Sequence, residues 1–289
     1  MSEASWRRFW HAPDPPLDLA LARILLAGTA LWIVLSRPGL PGLLELPPEL
    51  WSRVTPERRV RFLLLLPTAA ERALWALLHV ALASALLGLR ARLACFMSGL
   101  LLYHFAPLES LIRSPNPYLR GLTIPTLGLL ILSFSRCGDA LALWPRPGPG
   151  LSPSGDYRWP LRLVQVLFCQ IYVFAGYAKL ATSGLAWTEP ENLRGYLLLL
   201  NQALLADPTR SLGYAIAAHP WLCGAMAWAG LALEFAFPLV WLPRARGVLL
   251  AAAVLFHLAN AVLLRIFFQN AVLLLLFVHW DGLRRRWRT

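Results

Sequence analysis

Residues 161–181 read LRLVQVLFCQIYVFAGYAKLA. A helix needs about 20 mostly apolar residues to cross the hydrocarbon core of a bilayer, and this run supplies them with a charge only near each end, Arg162 and Lys179. Working outward, comparable runs lie at 17–36, 72–89, 93–112, 119–135, 216–242, 246–264 and 266–280. The expectation is an all-α integral membrane protein, a bundle of about eight transmembrane helices with no sheet. A further apolar stretch at 192–206 is short, and is expected to be interfacial or re-entrant.

Composition agrees. Hydrophobic residues make up 58% of the 289 and charged residues 15%, where soluble domains carry about a quarter. The net charge of +12 does not point to nucleic acid, because the arginines stand between apolar runs and at the C-terminus; phospholipid head groups account for them. Membrane lipid is therefore the first expected partner. The cluster Arg284-Arg285-Arg286-Trp287-Arg288 tips the balance of basic residues toward both termini lying in the cytoplasm, and the expected location is the bacterial inner membrane.

One membrane domain, 1–289, is expected. The run Trp144-Pro-Arg-Pro-Gly-Pro-Gly-Leu-Ser-Pro cannot hold a helix, so residues 144–160 form a linker between a first four-helix half, 1–143, and a second half, 161–289. Trp6-Arg7-Arg8-Phe9-Trp10, followed by Pro13, Pro15 and Pro16, has the composition of an interfacial anchor entering a retained first helix. The halves show no repeat, and Pro125 has no counterpart in the other half, so a secondary transporter is not indicated. Cys95, Cys137, Cys169 and Cys223 lie in separate segments without a C-x-x-C pair and read as small apolar packers.

Lys179 carries the chemical question. The chain has 26 arginines and this one lysine. Arginine cannot lose its proton in a protein, whereas a desolvated lysine can and then acts as a base or nucleophile. The competing account is a lysine that snorkels from a helix end to the head groups. At helical spacing Tyr172, Ala175, Gly176 and Lys179 share one face, which Gln165 extends backward. Small residues admit a close neighbouring helix, so this face is expected to turn inward. Two more ionisable groups lie within apolar runs, Glu234 and His257, the latter one turn before Asn260. Such groups are costly in a membrane and are usually paired. His79 and His104 stand singly, and no histidine spacing suggests a metal, so none is expected.

The run from Leu167 to Trp187, with its aromatic-Ala-Gly-x-x-Lys-Leu core ahead of Gly184 and Trp187, resembles the signature of the horizontally transferred transmembrane (HTTM) family. That family includes the membrane part of vitamin K-dependent gamma-glutamyl carboxylase. Glu234-Phe-Ala-Phe-Pro, the turn Pro243-Arg244-Ala-Arg246 and Phe256-His257 extend the resemblance over about the last 130 residues. It implies a carboxylase-like lyase or oxygenase in which Lys179 acts as a base on a reduced quinone of vitamin K type, with His257 and Glu234 as catalytic partners. Tyr172, Gly176 and Trp187 are then expected at the quinone. The carboxylase's extramembrane region has no counterpart here before Thr289, so a protein partner is expected to supply it, and the substrate is expected to be a quinol or other isoprenoid-type lipid. The rival expectation is a non-catalytic lipid-binding or scaffold protein that keeps the fold.

Overall fold

The computed structural model describes residues 2–36, 66–113, 120–144, 152–204 and 211–286; among them it consists of helices joined by turns and short irregular segments, with one isolated bridge between Asp14 and Ser154. The anchor sequence forms α1 (Glu3–His11), whose Ser2 hydroxyl accepts from the Ser5 N–H at 3.3 Å. Pro16 then opens α2 (Pro16–Leu35), at a position where a missing N–H breaks no bond.

Four further long elements follow: α3 (Thr68–Leu87), α4 (Ala91–Arg113), α5 (Arg120–Ser133) and α6 (Gly155–Ser183), the last prolonged by a 3-10 turn, Gly184–Thr188. Then come α7 (Pro190–Leu200), α8 (Leu212–Ala217), α9 (Pro220–Ala236) with a 3-10 extension Phe237–Trp241, α10 (Pro243–Leu263), and α11 (Trp280–Arg286). Five spans among the described residues are long and apolar enough to cross a membrane: Pro16–Leu35, Thr68–Leu87, Gly155–Thr188, Pro220–Trp241 and Pro243–Leu263. Ala91–Phe105 and Gly121–Ser133 are shorter apolar helices.

Three expectations change in detail. Residues 155–160 are not linker, because α6 starts at Gly155; the Ser154 hydroxyl accepts from the Asp156 N–H at 3.2 Å and caps that start, while 145–151 lie outside the described residues. The run 216–242 is broken, since α8 ends at Ala217 and Pro220 begins a new helix. At 266–280 there is no long α-helix but a nine-residue 3-10 helix, Gln269–Phe277, which at about 2 Å per residue extends about 18 Å. Every side chain from Ala271 to Phe277 is apolar, so the sequence there has no stripe from which a period can be read. The left-handed Arg265 (φ 55°) ends α10 ahead of it. α7, at eleven residues, is too short to span.

The chain divides into two compact units. The first, Met1–Gln165 with Leu275–Thr289, packs α2 against α3 and α5, and α4 against α3 and α5. Its core is Leu19, Leu26, Ile33, Leu78, Leu82, Leu102 and Leu129. In its midst Arg23 is fully buried, its two terminal nitrogens donating to the carbonyls of Ala85 at 2.7 Å and Leu141 at 2.6 Å. The Ala85 contact neutralises the negative end of α3. That helix closes on Gly88 (φ 74°), where a Cβ would stand 2.4 Å from the Arg23 guanidinium and 2.6 Å from Ala142. His104 is not single: its Nε2 lies 2.9 Å from the buried Glu71 carboxylate, which also accepts from the Leu66 N–H at 3.1 Å.

The second unit, Val166–Leu274, packs α9 against α7, α8 and α10, with Phe237–Trp241 lying on α10. Asn201 ties it together, donating to the carbonyls of Leu197 and Leu263 and accepting from the Ser211 hydroxyl, each at 2.8 Å.

Candidate functional site

The second unit contains the candidate site, built on three elements. α6 presents Tyr172, Gly176 and Lys179 along one face, as the helical spacing predicts. α9 brings Glu234 near its C-terminal end, and α10 brings His257. Gln165, counted on the same α6 face, belongs to the first unit, where it is buried and donates to the Leu276 carbonyl at 2.7 Å.

The Lys179 ammonium hydrogen-bonds to Glu234 Oε1 and forms an ion pair with it. The Glu234 side chain is 4% exposed and that of Lys179 23%. A lysine that snorkels needs no protein acceptor; this one has a buried carboxylate. The second face of the ammonium looks over the Trp187 ring, 5.5 Å from its centroid. Trp187 stands in the 3-10 turn that continues α6, so the Gly184 break (φ 58°) folds the indole back toward the lysine.

One to two turns earlier on α6, the Tyr172 hydroxyl stands 2.8 Å from His257 Nε2. Tyr172 is 6% exposed, and its ring stacks on Phe237 with centroids 4.1 Å apart and planes 15° from parallel. Phe237 follows α9 directly, three residues after Glu234. The stack and the ion pair are thus two contacts between the same pair of chain segments. His257 also meets Phe268 edge to face, with centroids 5.4 Å apart. The close approach of α6 to α9 depends on Gly176, where a Cβ would come within 3.0 Å of the Phe235 ring and 3.3 Å of Glu234 Cβ.

Two buried polar atoms of this cluster have no hydrogen-bond partner among the described residues, Glu234 Oε2 and His257 Nδ1. A carboxylate has four lone-pair positions and a neutral imidazole one donor and one acceptor. Each of these residues therefore keeps capacity for one further bond, and unmade bonds of this kind are costly when buried.

All six residues singled out in the sequence, Lys179, Glu234, His257, Tyr172, Gly176 and Trp187, fall in this unit, linked by the contacts described. Sequence reasoning missed Phe237. Its only signal was the motif Glu234-Phe-Ala-Phe-Pro, in which the second Phe follows the Glu by three residues and so shares its helical side. Among the described residues no group of three or more His, Cys, Asp or Glu is arranged to hold a metal ion. Compared with protein-family models, with curated proteins and with solved structures, the chain matches none of them. What the fold defines is an all-helical protein with several membrane-length helices and a half-buried lysine paired with a buried glutamate, beside a tyrosine–histidine pair.

Proposed function

We propose that the chain is a membrane-embedded enzyme of HTTM type that acts on or with a quinol or other isoprenoid-type lipid, with the Lys179–Glu234 pair as the proton acceptor. The observation that carries this reading is that the chain's one lysine meets a buried carboxylate that still has a free oxygen.

The proton count makes the pair a base however its proton is distributed. An amine and a carboxyl group holding one removable proton between them exist either as ammonium and carboxylate or as neutral amine and carboxylic acid. Both forms accept one more proton, giving ammonium beside carboxylic acid. In a low-dielectric setting the two forms lie closer in energy than in water, because the charged form loses its hydration. A weakly acidic hydroxyl, such as that of a hydroquinone, can then donate to the pair through the unused Glu234 Oε2. Tyr172 and His257 supply a second polar contact, and the Tyr172–Phe237 stack and Trp187 offer flat apolar faces suited to an aromatic ring.

The test is chemical. Protein purified in mild detergent is extracted with organic solvent, and lipophilic quinones are quantified against protein. Stoichiometric quinone, together with turnover of added quinol that Lys179→Arg abolishes, supports the enzyme. Absence of both leaves Lys179–Glu234 as a tie between α6 and α9, the non-catalytic lipid-binding or scaffold alternative.

A further inference from the structure

α1 stands where two membrane-length spans begin. Residues 12–15 alone separate it from the first residue of α2. Within that link Asp14 pairs backbone to backbone with Ser154, whose hydroxyl caps the start of α6. Contacts hold α1 in place there. Arg158 Nε donates to the Phe9 carbonyl at 2.8 Å, the Arg162 guanidinium lies 5.2 Å from the Phe9 ring centroid, and a Cβ on Gly155 would stand 2.6 Å from the His11 carbonyl oxygen. α11 comes to the same end: Asp18, in the first turn of α2, accepts from the Asp281 N–H at 3.1 Å and lies 3.4 Å from His279 Nδ1. All of these residues belong to the first unit.

A bilayer that surrounds α2 and α6 has its head-group layer at the ends of those spans, which is the level of α1. A nine-residue helix is marginal by itself in water, and α1 has no buried residue. At helical spacing Trp6, Phe9 and Trp10 fall in one arc, and Arg7, Arg8 and His11 in another. Trp6 is 53% exposed, and its ring meets that of Trp10 edge to face at 5.5 Å. This is the make-up of a helix that lies in the plane of an interface.

The unanswered charge at this end is positive. Asp14 and Asp18 are buried, the former against Arg158 at 2.9 Å. Glu3 pairs with Arg7 at 3.0 Å, and Asp156 with Arg136 at 3.6 Å. Arg8 and Arg284 are exposed and meet no carboxylate among the described residues.

We propose that α1 and α11 form a docking surface for the head groups of anionic phospholipids, with Trp6 entering the interface and Arg8 and Arg284 pairing with lipid phosphate. A guanidinium matches a phosphate with two parallel hydrogen bonds. A choline lipid carries its own cation beside the phosphate, so lipids of net negative charge are favoured. Loss of either arginine weakens the attraction by about fivefold. Asp18 is a positioning residue that holds α11 beside the first turn of α2. The surface is independent of the quinol site in the second unit.

The test is hydrogen–deuterium exchange on the full-length protein in nanodiscs of phosphatidylcholine alone or of phosphatidylcholine mixed with phosphatidylglycerol. Peptides covering Ser2–His11 are expected to exchange several-fold more slowly in the mixed discs, and high salt to remove most of that difference, because exposed charges are screened. Arg8→Gln combined with Arg284→Gln is expected to return exchange in the mixed discs to the phosphatidylcholine level, while peptides from α2 and α3 exchange as in the parent. Comparing the two discs on the unmodified protein keeps the test independent of how the variant folds. Equal exchange of α1 in both discs, or protection that survives in the double variant, would overturn the proposal. So would the same protection produced in phosphatidylcholine discs by inorganic phosphate, which would mark a site for a free anion instead of a lipid surface.

Discussion

The Tyr172 hydroxyl and His257 Nε2 lie 2.8 Å apart across 85 residues of chain, and among the described residues this is the one hydrogen bond of the imidazole, whose buried Nδ1 meets no partner there. Tyr172→Phe keeps the stack on Phe237 and removes the hydroxyl, leaving both imidazole nitrogens unsatisfied. The expected cost is about 1–3 kcal/mol, read as a lower melting temperature in detergent. In a double-mutant cycle with His257→Leu, the tyrosine change should cost much less once the histidine is gone. Equal costs in the two backgrounds would mean the bond contributes nothing.

The Lys179–Glu234 pair makes an asymmetric prediction. Lys179→Met leaves a buried carboxylate without its cation, and removing one partner of a buried pair costs about 3–5 kcal/mol. Lys179→Met combined with Glu234→Met removes both charges and should recover most of that loss. A double variant as unstable as the sum of the two singles would show that the groups are not coupled.

Gly176 sets the distance between α6 and α9. The Cβ of Gly176→Ala would meet the Phe235 ring at 3.0 Å, so the ring has to shift by a few tenths of an ångström. A cost of about 1 kcal/mol is expected, at the low end for overpacking. Gly176→Leu has no such escape and is expected to separate Lys179 from Glu234. Thermal unfolding of both variants checks the order, and a Leu variant as stable as the parent would show that the helices do not need this contact.

Much of this arrangement is legible in the sequence because the bilayer restricts the choices. The long apolar runs from 17 to 36 and from 72 to 89 find helices Pro16–Leu35 and Thr68–Leu87 within a few residues, and the lone lysine among arginines marks the residue that pairs with Glu234. The same reasoning fails where charge is read as a boundary marker. Arg23 sits in the eighth position of α2 and looks like an end residue to a pattern that places arginines at the interface, yet the Ala85 and Leu141 carbonyls receive it in the core. The pairing Glu71–His104 joins residues 33 positions apart in the chain, and no local spacing encodes it.

The final prediction separates positive charge from removable charge at position 179. Lys179→Arg preserves the cation beside Glu234, and with it the tie between α6 and α9, so the variant is expected to fold and to melt within a few degrees of the parent. The guanidinium cannot give up its proton. The pair can then no longer take the neutral amine–carboxylic acid form, and Glu234, facing a permanent cation, becomes a weaker proton acceptor. Loss of turnover with retained stability is therefore expected, on the order of the 10²–10⁴-fold that a positioned general base contributes. Lys179→Ala should lose activity to a similar extent, and small amines added to that variant should restore part of it, because a diffusible base can enter the vacated space. The measurement is quinol turnover across pH for the parent, the two variants and the amine-supplemented alanine variant. Full activity in Lys179→Arg would remove the base from the mechanism and leave Lys179–Glu234 as a structural ion pair between two membrane helices.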